Sequence, residues 1–174
     1  MSPSSSRELE TFFATWEQEA KRTTRLLASL PLDRYDFRPD EGGRSLGELA
    51  WHLAEIDGWF SHCITTGEFR RDAKVPDMER PRAVEALAPG YERVHRAAVE
   101  RLRALKPEDL DRSMPFMGGT TMVIRDLLWY AMLHHAIHHR GQLTLMCRLA
   151  GGKGPGMYGP SREETAAMRA KAGA

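Results

Sequence analysis

The sequence predicts an all-α fold, a four-helix bundle followed by a short extra helix at the C-terminus. Three observations carry this. Four long segments place apolar residues at three- and four-residue spacing, the period of one helix face. Strand-like alternation is confined to a few residues around one Gly-Gly pair. The 174 residues suffice to bury one hydrophobic core without staples, so a single domain spanning 1–174 is expected.

The first segment runs from Ser6 to Leu30, with Leu9, Phe12, Trp16, Ala20, Leu27 and Leu30 among its apolar positions, and Pro31 stops it. In "LDRYDFRPDEGGRS", Pro39 and Gly42-Gly43 forbid regular structure while Tyr35 and Phe37 can pack down, which makes an ordered loop. "SLGE" then reads as a capping box in which Ser45 and Glu48 satisfy each other's backbone amides. A second helix follows to about Thr66, ended by Gly67. Residues 68–80 are polar and form a surface crossover. A third helix starts near Pro81 and is kinked or split at Pro89-Gly90, giving a short turn and then a main helix from Pro89 to Leu105. "SMPFMGGTTM" places a Gly-Gly turn between two very short extended pieces. The fourth helix extends from about Val123 to Leu149 and ends at Gly151-Gly152. Finally "SREE", with Ser161 and Glu164, caps a small terminal helix.

Lys and Arg number 25 against 24 Asp and Glu, so no basic field favours nucleic acid or an anionic membrane surface as a partner. Cys63 and Cys147 sit in apolar helical patterns, where a free thiol behaves as a small hydrophobe and not as half of a disulfide. No basic leader precedes an apolar stretch at the N-terminus, and no apolar run approaches the roughly 20 residues of a membrane span. A soluble, cytoplasmic protein is expected.

Four of the seven histidines fall in "AMLHHAIHHRGQL". Side chains four apart share a helix face, so either His134 with His138 or His135 with His139 can grip one ion. At about 100° per residue, Ile124, Leu128, Ala131, His135, Gln142 and Met146 form a narrow stripe with His139 beside it, which turns His135 and His139 inward. His138 lies on the other flank and His134 farther out. Catalytic zinc takes three protein ligands and an open position. His52, beside the core stripe of Leu49, Leu53 and Phe60, is the best third candidate. His62 and His95 read as solvated or locally hydrogen-bonded. Ala136 and Ile137 follow His135, which excludes the HExxH peptidase arrangement with its general base. Spacing alone leaves a metal site and a merely imidazole-rich helix equally open, with a metal-free, pH-sensitive hydrogen-bond network as a third reading.

"SLGELAWHLAEIDGWF" and "TTMVIRDLLWYAMLHHAIHHRGQLTLMCRLAGGKGPGMYGPS" together resemble the DinB/YfiT-like superfamily of bacteria, and the resemblance spans nearly the whole chain. Its most specific parts are the single helix-two histidine, HxxxHRGQ and the "MYGPS" tail. The resemblance implies a four-helix bundle, often a homodimer, that holds a divalent metal ion, nickel or zinc, through three histidines. By position these are His52, His135 and His139. It further implies a metal-dependent transferase or hydrolase acting on a small electrophile, because characterised relatives include S-transferases and isomerases that use a low-molecular-weight thiol. Three neutral imidazoles leave an ion's charge uncompensated, which lowers the pKa of a thiol or water bound to it. The alternative is a non-catalytic, metal-stapled dimeric stress-response protein.

No catalytic residue is assigned. Gln142 and His138 are candidate supports for the ligands, with Gln142 orienting an imidazole, bonding a water on the ion or only capping the core. Arg140 is expected to reach an acid or a helix end, Gly141 to allow close helix contact, and Tyr158 to fold over the mouth of the site. Trp51, Trp59, Trp129 and Tyr130 line the pocket or fill core and interface.

Overall fold

Residues 3–70 and 72–173 are described in the computed structural model. Met1, Ser2 and Ala174, at the ends of the expected domain, and Arg71, in the expected crossover, lie outside the described residues. Helix α1 (Pro3–Leu27) ends before the predicted Leu30. The Ser29 and Leu30 amides bond three residues back, to Leu26 and Leu27 at 3.0 and 3.4 Å, a tightened turn that suits the extended backbone demanded before Pro31.

Helix α2 (Leu46–Thr66) starts and stops where the sequence places it. The Glu48 amide donates to Ser45 Oγ at 3.2 Å and the Ser45 amide to Glu48 Oε2 at 2.8 Å. Gly67 closes the helix at φ 73°, which a side chain would resist. Helix α3 (Leu87–Leu102) follows a single 3₁₀ turn, Val84–Ala86, and stops short of Leu105. The segment divides as expected into a short turn and a main helix, which begins two residues before Pro89 and so leaves it in the first turn, where its missing N–H has no partner to lose. A Cβ on Gly90 would stand 2.8 Å from the Trp51 ring, so this glycine sets how closely α3 approaches α2.

Strands β1 (Ser113–Pro115) and β2 (Thr121–Val123) form the antiparallel hairpin read from "SMPFMGGTTM", with Met114 opposite Met122. Gly118 and Gly119 at φ 67° and 77° supply its turn. Helix α5 (Arg162–Ala172) carries the Ser161–Glu164 capping box.

Helix α4 (residues 124–149) is continuous but not uniform: α-helical turns at Ile124–Asp126 and His135–Leu149 flank a π-helical segment, Leu127–His134. The reason is one of phase. Ile124 and Leu143 are both fully buried, yet 19 residues apart at about 100° each they would miss alignment by about 100°. One extra residue taken up by wider turns closes that gap. The inward stripe therefore changes: Leu127, Met132, Leu133, Arg140, Leu143 and Cys147 are buried, whereas Gln142, expected inside, is exposed.

Helix α2 packs against both α3 and α4, and α1 against α3, which makes the four-helix bundle. One part of the core gathers Phe12, Trp16, Ile56, Leu102 and Leu128, the other Leu26, Leu49, Trp51, Leu87 and Leu143. Cys63 and Cys147 are free and buried, and burial pushes both thiols up from their ordinary pKa. Among the described residues no helix is long and apolar enough to cross a membrane.

Candidate metal centre

His52 projects from the second turn of α2 toward the middle of α4, where His135 and His139 stand one turn apart. Each is half-buried, and one ring nitrogen from each lies within 4.8 Å of the other two. The rings meet closely, with centroids 4.7 Å apart for His52 and His139 and 4.6 Å for His135 and His139.

The hydrogen bonds assign the proton on each ring. His52 Nδ1 donates to Glu55 Oε2 at 3.1 Å, His139 Nδ1 to Gln142 Oε1 at 2.7 Å, and His135 Nδ1 to the Ala131 carbonyl at 3.2 Å. The last contact is a product of the π segment. The His135 amide goes to the Tyr130 and Met132 carbonyls, and the Ala131 carbonyl, its partner in a regular α-helix, accepts the imidazole. With every Nδ1 so engaged, all three Nε2 atoms present lone pairs.

His135 Nε2 and His139 Nε2 stand 2.8 Å apart. Two facing lone pairs repel unless a cation lies between them. A proton is disfavoured there: burial, and then the neighbouring His52, hold His135 below the ordinary imidazole pKa, and burial foremost brings His139 down to about 4. A metal ion fits. Two nitrogens bound at about 2.0–2.1 Å stand about 2.9 Å apart at right angles and about 3.3 Å apart in a tetrahedron, so a small outward turn of the rings would admit an ion. Two of the Nδ1 partners, the Glu55 carboxylate and the Ala131 carbonyl, are of the kinds that commonly orient metal-bound imidazoles, and the third is the Gln142 amide oxygen.

The DinB family's sequence model matches residues 1–172. The chain belongs to the DinB family. It is similar to the uncharacterized protein YrdA of Bacillus subtilis strain 168, with 32% identity over 163 residues, 91% of this chain and 92% of that one. Among solved structures it resembles a DinB-like protein from Bacillus cereus ATCC 10987, with TM-score 0.71, 29% identity, and coverage of 86% of this chain and 97% of that one. It also resembles the DinB-like protein YjoA of Bacillus subtilis, with TM-score 0.65, 27% identity, and coverage of 81% and 92%.

Around this DinB triad the remaining expectations divide. Gln142 hydrogen-bonds two imidazoles from the solvent side: its Nε2 donates to His138 Nε2 at 3.1 Å and its Oε1 accepts from His139 Nδ1. His134 and His138 are exposed. Trp59 lines the approach to the triad, Trp51 is core, Trp129 packs on Phe12, and Tyr130 is exposed. Tyr158 does not cover the site. Its hydroxyl donates to Glu19 Oε2 at 2.7 Å and receives Arg140, the acid-seeking arginine whose Nη1 also reaches the Glu19 carbonyl at 2.8 Å. The tail is thereby bound to α1. Gly141 faces open space and brings no helix close.

Two features escaped the sequence reading. Glu55 supports His52, although its i,i+3 spacing on one helix was a usable signal. His95 is neither solvated nor locally bonded: it is buried, and its Nδ1 donates to Asp57 Oδ2 at 2.8 Å. Asp57 also accepts Trp16 Nε1 and the Tyr91 hydroxyl, each at 3.1 Å. A carboxylate within the apolar run "AEIDGWF" was the available clue.

Proposed function

We propose that this DinB protein binds a divalent metal ion, nickel or zinc, through Nε2 of His52, His135 and His139, and uses it to transfer a low-molecular-weight thiol, or water, to a small electrophile. The observation that carries the reading is the convergence of three imidazoles whose N–H groups are all spent on other partners. Bound there, the ion would serve as a Lewis acid and lower the pKa of a thiol or water among its ligands. The chain's own part is to orient and to admit. Glu55, the Ala131 carbonyl and Gln142 fix the Nδ1 proton and the direction of the three rings. A groove of about 620 Å³ reaches His52 and His135 past Trp59 and Phe60, an approach that a purely structural metal staple has no need of.

The test is metal content per chain by elemental mass spectrometry after expression with nickel and zinc. About one ion is expected in the wild type, in His134→Ala and in His62→Ala, and background in His52→Ala, His135→Ala and His139→Ala. A metal-free wild type, or loss in His134→Ala alone, overturns the reading. Thiol consumption with 1-chloro-2,4-dinitrobenzene, present in the loaded protein and absent from the chelated one, then separates an enzyme from a staple.

A further inference from the structure

The groove beside the triad is mostly apolar, with Ile56, Trp59, Phe60, Val75 and Met78 in its walls. Its charged members other than the histidines are Glu55, which is engaged with His52, and Arg44. Arg44 stands out among the cations of its neighbourhood. Arg38 and Arg80 both pair with Glu48, at 2.8 and 3.6 Å, whereas Arg44 has no ion pair among the described residues. It lies on the loop just before the α2 cap, is exposed, and also borders the smaller cleft of about 170 Å³ on the Gln142 side. An unmatched guanidinium thus lines, together with His52 and His135 of the triad, an otherwise mostly apolar groove. Guanidinium is the group best suited to a carboxylate, which it takes with two parallel N–H donors. The volume accommodates a ring-sized apolar body.

We propose that Arg44 is the anion-binding end of the substrate groove, so that the site takes a small molecule with an apolar, aromatic-sized body and a carboxylate held by the Arg44 guanidinium. This rests on the reading of the triad as the working end of that groove. The carboxylate anchors the far end of the ligand and leaves its apolar portion across Trp59, next to His52 and His135.

The experiment is calorimetric titration of 2-naphthoate and of its neutral counterpart 2-naphthamide into the wild type, Arg44→Gln, Arg44→Lys and, as a control on the separate groove beside Glu17 and Tyr91, Arg103→Gln. Each is measured metal-loaded and after chelation. The acid is expected to bind the wild type about tenfold more tightly than the amide. That preference should persist after chelation, vanish in Arg44→Gln, return in part in Arg44→Lys and stay unchanged in Arg103→Gln. Equal affinities in the wild type, no binding of either probe, or a preference that survives Arg44→Gln would overturn the proposal. A preference lost on chelation but kept in Arg44→Gln would place the carboxylate on the ion and overturn it as well. Metal content is read separately, so a failure of the triad reading shows as a metal-free protein whatever naphthoate does.

Discussion

On one side of α2, His52 meets His135 and His139 with a single carboxylate, Glu55, among the three rings; on another, Asp57 receives His95, Tyr91 and Trp16 together. The two positions are five residues apart in one helix, which at about 100° each turns them about 140° from one another. Burial acts on both groups in the same sense, against the charged imidazole. In the triad it prevails, and His135 and His139 are held below the ordinary pKa. At His95 it is outweighed by the hydrogen bond and charge of Asp57 and by Glu17 at 3.8 Å, so the pKa rises. A buried histidine becomes a ligand or a cation according to what faces it. His135 and His139 surrender their protons readily, as metal ligands must; His95, facing Asp57, holds its proton more firmly.

The largest expected effect breaks the second group. Asp57→Asn removes the nearest counter-charge of His95, leaving Glu17 at 3.8 Å, and should cost about 3 kcal/mol, a fall of about 10 °C in melting temperature for a chain of this size. Calorimetric unfolding of the metal-loaded protein checks this, and metal per chain should not change. Unchanged stability would mean that the Asp57 network contributes little. Next is Gln142→Ala, which removes the His139 Nδ1 acceptor and should weaken metal binding by about 10–100-fold, read by competition with a chromophoric chelator. If affinity holds, Gln142 is a surface residue and no more.

The pH dependence of chelated protein sharpens the contrast in sign. His135 and His139 bind protons less well folded than unfolded, so stability should rise with pH from about 4, the folded value of His139, to the unfolded value near 6.5. His95 binds its proton better folded, so its contribution is complete below about 6.5 and is lost as pH rises through its folded pKa. Urea midpoints across pH 4–9 in the wild type and in His95→Gln test this: the upper fall should disappear in His95→Gln and the lower rise should remain. The smallest effect is expected of Tyr158→Phe, about 1 kcal/mol from lost hydrogen bonds to Glu19 and Arg140, with metal affinity unmoved because the tail lies away from the site.

Much of this was legible in order along the chain. Capping boxes at Ser45 and Ser161, the Gly67 stop and the Gly118-Gly119 turn depend on neighbours within a few residues, and each formed as read. Boundaries set by competition between elements were less legible, as at Leu27 and Leu87. The inward direction of His135 and His139 was read from a straight α-helical stripe that the π segment then bent. It survived because both residues lie on the flank of the true stripe, where Gln142 was carried out to solvent.

The sequence by itself determined the helical bundle, the hairpin and the pair of histidines one turn apart, since these follow from local periodicity and from residues that fix their own backbone. Only the tertiary structure decided that His52, the candidate the sequence offered, stands within 4.8 Å of the other two rings, that Ala131 offers a carbonyl to His135, and that Asp57 claims His95. Each of these joins groups on different elements, or depends on a helical phase set by packing against them. Nothing in the order of residues encodes such distances until the bundle has closed.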